Sequence, residues 1–159
     1  MSAETVNGGP EPDLSPSREG SAIGAVLFFD GECGLCNGVV RILIRLDRTG
    51  RLHYAPLQGA SAQAYLRTHG LPTEDFDSLI FVPDWSRRDR AEHLMRTDGV
   101  VGALRAVGGL STPLAWIGIL PRAWRDAAYA GVARVRYRVF GVWRPRPLGR
   151  SEWAARFLP

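Results

Sequence analysis

Ala25-Val26-Leu27-Phe28-Phe29-Asp30-Gly31-Glu32-Cys33-Gly34-Leu35-Cys36-Asn37 is the stretch on which the fold turns. Its first five residues are β-branched, aromatic or small apolar side chains, which suit a strand. From Asn37 to Asp47 apolar residues recur at helical intervals. The only two cysteines of the chain, Cys33 and Cys36, therefore stand two residues apart where a strand hands over to a helix. The first turn of a helix leaves backbone N–H groups unpaired and carries partial positive charge, so it favours a thiolate. A cysteine pair at this spacing in this place points to redox chemistry.

On that reading Cys33 is the exposed, attacking sulfur. Cys36, one turn on and facing inward, resolves the mixed disulfide that Cys33 forms. Asp30 and Glu32 act against a thiolate, because a nearby carboxylate disfavours a second negative charge. Two other readings stay open. The pair could be inert buried thiols, or half of a zinc site, which needs four ligands. His53, His69 and His93 show no ligand spacing with each other, so a site shared between two chains is the form zinc would most readily take.

Outward from this joint, Arg51 to Leu57 alternates as a half-buried strand does, with Pro56 at its edge or end. Ser61 to His69 reads as a short helix stopped by Gly70-Leu71-Pro72. Ser78 to Pro83 reads as a buried strand. After a turn through Asp84 to Arg90, a weaker strand over His93 to Thr97 is expected to pair with it antiparallel, since the connection is short. Asp98-Gly99-Val100 opens a helix that runs to Gly108-Gly109, with Asp98 as its cap or just outside it.

The apolar run from Leu110 to Leu120 falls short of the roughly twenty residues that a bilayer span requires. Pro121 suits the start of a further helix. In it, Trp124, Ala127, Ala128, Gly131 and Val132 are expected on one face, with Arg125, Arg134, Arg136 and Arg138 on the rest. The result is an amphipathic hairpin packed on the core.

All 20 basic residues are arginine, and nine of them lie from Pro121 onward against only Asp126 and Glu152. Such a cationic segment is by default a solvated helix face. Its alternatives are a peripheral contact with an anionic membrane surface or an acidic partner. Nucleic acid is disfavoured, because the arginines lack the aromatic interleaving of a stacking platform. No secretory signal pattern opens the sequence, so a cytoplasmic location is expected, and there a cysteine pair is more often catalytic or metal-binding than structural.

Three phrases, Phe29 to Asn37, Tyr54-Ala55-Pro56-Leu57-Gln58 and Asp77-Ser78-Leu79-Ile80, resemble the DCC family, named for an Asp and two Cys near its N-terminus. The resemblance spans residues 26–140. It implies an α/β, thioredoxin-like fold, a central mixed sheet flanked by helices, here with an added C-terminal helical hairpin. It also implies a thiol-disulfide oxidoreductase of the protein-disulfide reductase type, with the family's named positions on Asp30, Cys33 and Cys36. No metal or organic cofactor is required. The partners are a protein or small-molecule thiol or disulfide and a cellular thiol reductant.

The expected organisation is a disordered tail over 1–21, a thioredoxin-like core over 22–109, the amphipathic helical extension of the same domain over 110–141, and a loosely docked Arg/Pro-rich tail over 142–159. Thioredoxins place a cis-proline directly before the third strand, whereas Asp77 and Ser78 stand there and Pro72 comes too early. This departure favours a small-molecule or single-partner thiol over extended peptides. Asp30 is either a carboxylate behind the cysteine pair that tunes a thiol, or a cap of the following turn. The alternative to an enzyme is a non-catalytic binding module that docks through the basic hairpin.

Overall fold

The computed structural model describes residues 23–76, 78–90, 92–109, 113–142 and 150–159. The tail expected over 1–21 lies outside them, as do 143–149 of the C-terminal segment. Strand β1 (Ala25–Phe29) is central in a four-stranded sheet of order β2-β1-β3-β4. It runs parallel to β2 (Leu52–Pro56), with Leu27 opposite Tyr54, and antiparallel to β3 (Ile80–Val82), with Leu27 opposite Phe81. Strand β4 (Leu94–Met95) pairs antiparallel with β3 as expected, though it is only two residues long.

Both faces of the sheet are covered, which explains why β1 is a continuous apolar run rather than an alternating one. Ala25, Leu27 and Phe29 pack against helices α1 (Gly34–Leu46) and α3 (Arg96–Val107) through Val40, Leu43, Ile44, Ala103, Leu104 and Val107. Val26 and Phe28 point the other way, to Ala62, Tyr65 and Leu66 of α2 (Ala60–Thr68). This mixed sheet with helices on both faces is a thioredoxin-like α/β fold.

Several expectations change. Helix α3 begins at Arg96, so Asp98 lies within its first turn rather than capping it. There it meets Arg125 at 2.8 Å and Arg122 at 3.3 Å, tying α3 to α4 (Arg122–Phe140). The apolar arm before Pro121 is a 3-10 helix over Pro113–Ile119.

Helix α4 is amphipathic in a different sense from the expected one, because Arg136 is only 5% exposed whereas Trp124 is 74% exposed. The default solvated arginine face fails at Arg125 and Arg136, since each guanidinium finds a carboxylate, Asp98 and Asp30, in the body of the fold.

The last ten residues are not a loose tail. Tyr54 N–H donates to Arg156 O at 2.9 Å, and Leu158 N–H to Tyr54 O at 2.8 Å, so the chain end seals the outer edge of β2. Just before it lies the short helix α5 (Ser151–Ala154). The Phe157 ring packs on Tyr54 and Phe29, and Arg156 pairs with buried Asp47 at 3.4 Å. Among the described residues no helix is long and apolar enough to cross a membrane.

Candidate active site

The joint between β1 and α1 is built by its own backbone. Cys33, in extended conformation, is the N-cap of α1, and its Sγ accepts the N–H of Cys36 at 3.4 Å. This satisfies one of the donors that a helix start leaves open. Asn37 Nδ2 donates to Gly31 O at 2.8 Å and to Cys33 O at 3.0 Å, fixing the loop that carries the first cysteine.

Asp30, 3% exposed, is the hub of the site. Its Oδ1 accepts from Glu32 N–H at 3.0 Å and from Gln58 Nε2 at 2.9 Å, and Gln58 Oε1 in turn accepts Gly31 N–H at 3.0 Å. Its Oδ2 accepts from Arg136 Nη2 at 3.2 Å and from the Tyr137 hydroxyl. Asp30 accepts the turn N–H of Glu32, as the capping reading expects, and stands buried behind the cysteines. With four donors on two oxygens it is filled. It reaches Cys36 through Arg136, whose Nη1 lies 3.9 Å from Cys36 Sγ. Arg136 also donates to Phe76 O.

The exposures expected for the two sulfurs are reversed. Cys33 is 0% exposed and Cys36 is half-buried. The cover over Cys33 is the chain that leaves α4. Gly34 N–H donates to Gly141 O at 3.2 Å, and Cys33 forms an antiparallel bridge with Val142. Gly34 is required by this approach, because a Cβ there would stand 2.4 Å from Phe140 O. Gly34→Ala is therefore expected to push the segment off. Alkylation of Cys33 should rise at least tenfold, with a stability loss of about 1–3 kcal/mol typical of overpacking. An unchanged Cys33 rate, read by peptide mapping, would contradict the cover.

The Cys36 thiol is pushed up to about 12, first by burial, then by its hydrogen bond with Cys33 and the charge of Cys33. Arg136 acts in the opposite sense and Asp30 in the same sense. Cys36 and Arg136 also line a cavity of about 530 Å³ between the sheet, α1, α3 and α4, whose other walls are largely apolar. Among the described residues no group of three or more His, Cys, Asp or Glu could hold a metal ion.

Residues 27–142 match the family model described as DCC1-like thiol-disulfide oxidoreductase. The chain belongs to this DCC1-like thiol-disulfide oxidoreductase family. Among its relatives, uncharacterized protein YuxK of Bacillus subtilis (strain 168) is 32% identical over 134 residues, 84% of this chain and 93% of the relative. The DCC family protein At1g52590, chloroplastic, of Arabidopsis thaliana is 28% identical over 117 residues, 73% of this chain and 64% of that protein. No solved structure matches. The matched span runs from β1 to Val142 and so includes α4 and the cover over Cys33.

Within this DCC1-like fold, Asp30, Cys33 and Cys36 come together as the sequence suggests. Arg136, Tyr137, Gln58 and Asn37 join them without having been singled out. Gln58 and Asn37 did stand inside the phrases that carry the resemblance. Arg136 and Tyr137 carried no signal, being one arginine and one aromatic in a helix full of both.

Proposed function

We propose that the protein is a thiol-disulfide oxidoreductase of the protein-disulfide reductase type, cycling Cys33 and Cys36 between dithiol and disulfide. The observation that carries this reading is Cys33 Sγ as N-cap of α1 with the Cys36 N–H directed at it, which holds the two cysteines one helical turn apart. In the cycle Cys33, uncovered by movement of Phe140–Val142, attacks a substrate disulfide as thiolate and expels one substrate sulfur with its electron pair. Cys36, on losing its proton, attacks Cys33 Sγ and expels the other. Two electrons pass to the substrate, and the pair is left as a disulfide for a thiol reductant to reopen. Asp30 and Arg136 are positioning residues that fix the turn and the surroundings of Cys36.

The Cys36 thiol, kept protonated by its burial, gives the dithiol state no thiolate stabilisation of the kind that makes a pair strongly oxidising. The midpoint potential is expected nearer the roughly −270 mV of thioredoxin than the roughly −120 mV of a strong oxidant. Titration of the metal-free protein in thiol–disulfide buffers, read by alkylation and intact mass, tests this. A midpoint above about −180 mV would reverse the direction. Cysteines with no reversible two-electron transition would end the enzyme reading.

A second reading, docking on an anionic lipid surface, is favoured by the exposure of Trp116 (70%), Ile119 (78%) and Trp124 (74%) around Arg122. It predicts low-salt sedimentation with phosphatidylserine vesicles that Trp124→Ala weakens severalfold. Protein that stays in the supernatant removes this reading.

A further inference from the structure

The cavity beside Cys36 has the volume of a small-molecule site, which runs from roughly 300 to 1,000 Å³. Its walls include Leu27 and Phe29 from β1, Val40 from α1, Val100 from α3, and Ala128 and Val132 from α4. The polar side chains on its rim are largely engaged elsewhere. Arg125 pairs with Asp98, Thr97 donates to Asp126, and the Tyr129 hydroxyl accepts from Leu79 N–H. A peptide laid here would bury backbone N–H and C=O groups against apolar carbon, at a cost for each group left unpaired. An apolar small molecule incurs no such cost.

Two observations give that molecule a sulfur. Cys36 lies in the cavity wall, whereas Cys33 is fully covered. Arg136, also in the wall and 5% exposed, has a buried Nε–H with no hydrogen-bond partner, and its Nη1 is 3.9 Å from Cys36 Sγ. A guanidinium beside the reacting sulfur suits an arriving thiolate by its charge.

We propose that the cavity binds an apolar small-molecule thiol, which reopens the Cys33–Cys36 disulfide by attacking Cys36. This rests on the redox cycle proposed above and names its reductant by chemical class. The thiolate RS⁻ forms a bond to Cys36 Sγ. The Cys33–Cys36 bond breaks, and its electron pair stays on Cys33 Sγ, toward which the Cys36 N–H points. A second RS⁻ attacks the ligand sulfur of the Cys36 adduct, RSSR leaves, and Cys36 departs as a thiolate that takes up a proton. In sum, two RSH and the protein disulfide give RSSR and the protein dithiol.

Leaving-group chemistry selects the same sulfur as access does. Attack at Cys33 would have to expel Cys36, a poor leaving group because its thiol is held high. For the same reason the adduct at Cys36 should accumulate.

The test uses the full chain, oxidised, with benzyl mercaptan and 2-mercaptoethanol as thiols of similar acidity but opposite polarity. Disulfide loss should saturate with benzyl mercaptan and run at least tenfold faster than with 2-mercaptoethanol at low concentration. Peptide mapping should place the benzylthio adduct on Cys36. Ala128→Trp, with its fold checked by circular dichroism, should erase the preference. If that variant does not fold, the ratio of the two wild-type rates and the adduct position still decide.

Equal, unsaturable rates or an adduct on Cys33, in a protein that shows a reversible dithiol–disulfide transition, overturn the cavity proposal alone. Absence of that transition removes the disulfide under attack and overturns the redox cycle and this proposal together.

Discussion

Arg136→Met is expected to lower the unfolding free energy by about 3–5 kcal/mol, the usual cost of removing one partner of a buried ion pair. The side chains of Arg136 and Asp30 are only 6% and 3% exposed. Losing the guanidinium leaves a buried carboxylate short of its charged partner and Phe76 O short of its donor. For a domain of this size each kcal/mol corresponds to roughly 2–4 °C, so Tm should fall by on the order of 10 °C.

The companion Asp30→Asn isolates the pair, because its amide keeps an oxygen for the turn but no charge for Arg136. The double variant should cost less than the sum of the singles, with a coupling of about 1–3 kcal/mol in urea melts. A coupling near zero would mean that the pair contributes packing only. The ion pair is no evidence of stability in itself, since an apolar replacement of both partners can be as stable. Its consequence is positional, since it draws α4 onto the cysteine joint.

The second large effect is the sluggishness of Cys36 in the dithiol state. An ordinary cysteine ionises near 8.5, and Cys36 is held at about 12. That difference lowers the thiolate share at pH 7 by roughly 3,000-fold, of which higher basicity recovers roughly 30- to 60-fold. Alkylation of Cys36 should therefore be on the order of 10²-fold slower than that of an unburied cysteine. It should quicken about tenfold per pH unit, with no plateau below about pH 11, because the reactive form exists only above the pKa. Rates mapped to Cys36 by mass spectrometry that level off near pH 8 to 9 would contradict the burial argument.

The same shift has a consequence for stability. The folded state keeps this proton to higher pH than the unfolded chain does, so the contribution of Cys36 is intact below the ordinary cysteine range and is lost as pH rises toward about 12.

Much of the fold was legible because its signals are local. The strand at Ala25–Phe29, the helix over Gly34–Leu46 and the antiparallel return of β4 each follow from periodicity or a short connection within a few residues. The less legible parts involve partners far apart in sequence. Asp98 was expected as a cap or just outside the helix, but it sits within the first turn of α3, where it takes two arginines of α4. The chain end was expected to be loose from its Pro and Arg content, yet Phe157 and Leu158 are apolar enough to seal β2.

The sequence by itself determined that two cysteines share one helical turn at the end of a buried strand, behind an aspartate. Covalent spacing and local hydrogen bonding suffice for that. Only the tertiary structure decided what those groups face. Arg136 and Tyr137 reach Asp30 from more than a hundred residues away, and Gly141 and Val142 close over Cys33. Such contacts depend on how α4 packs against α1 and α3. No periodicity in α4 distinguishes the arginine that finds a buried carboxylate from those that stay in water.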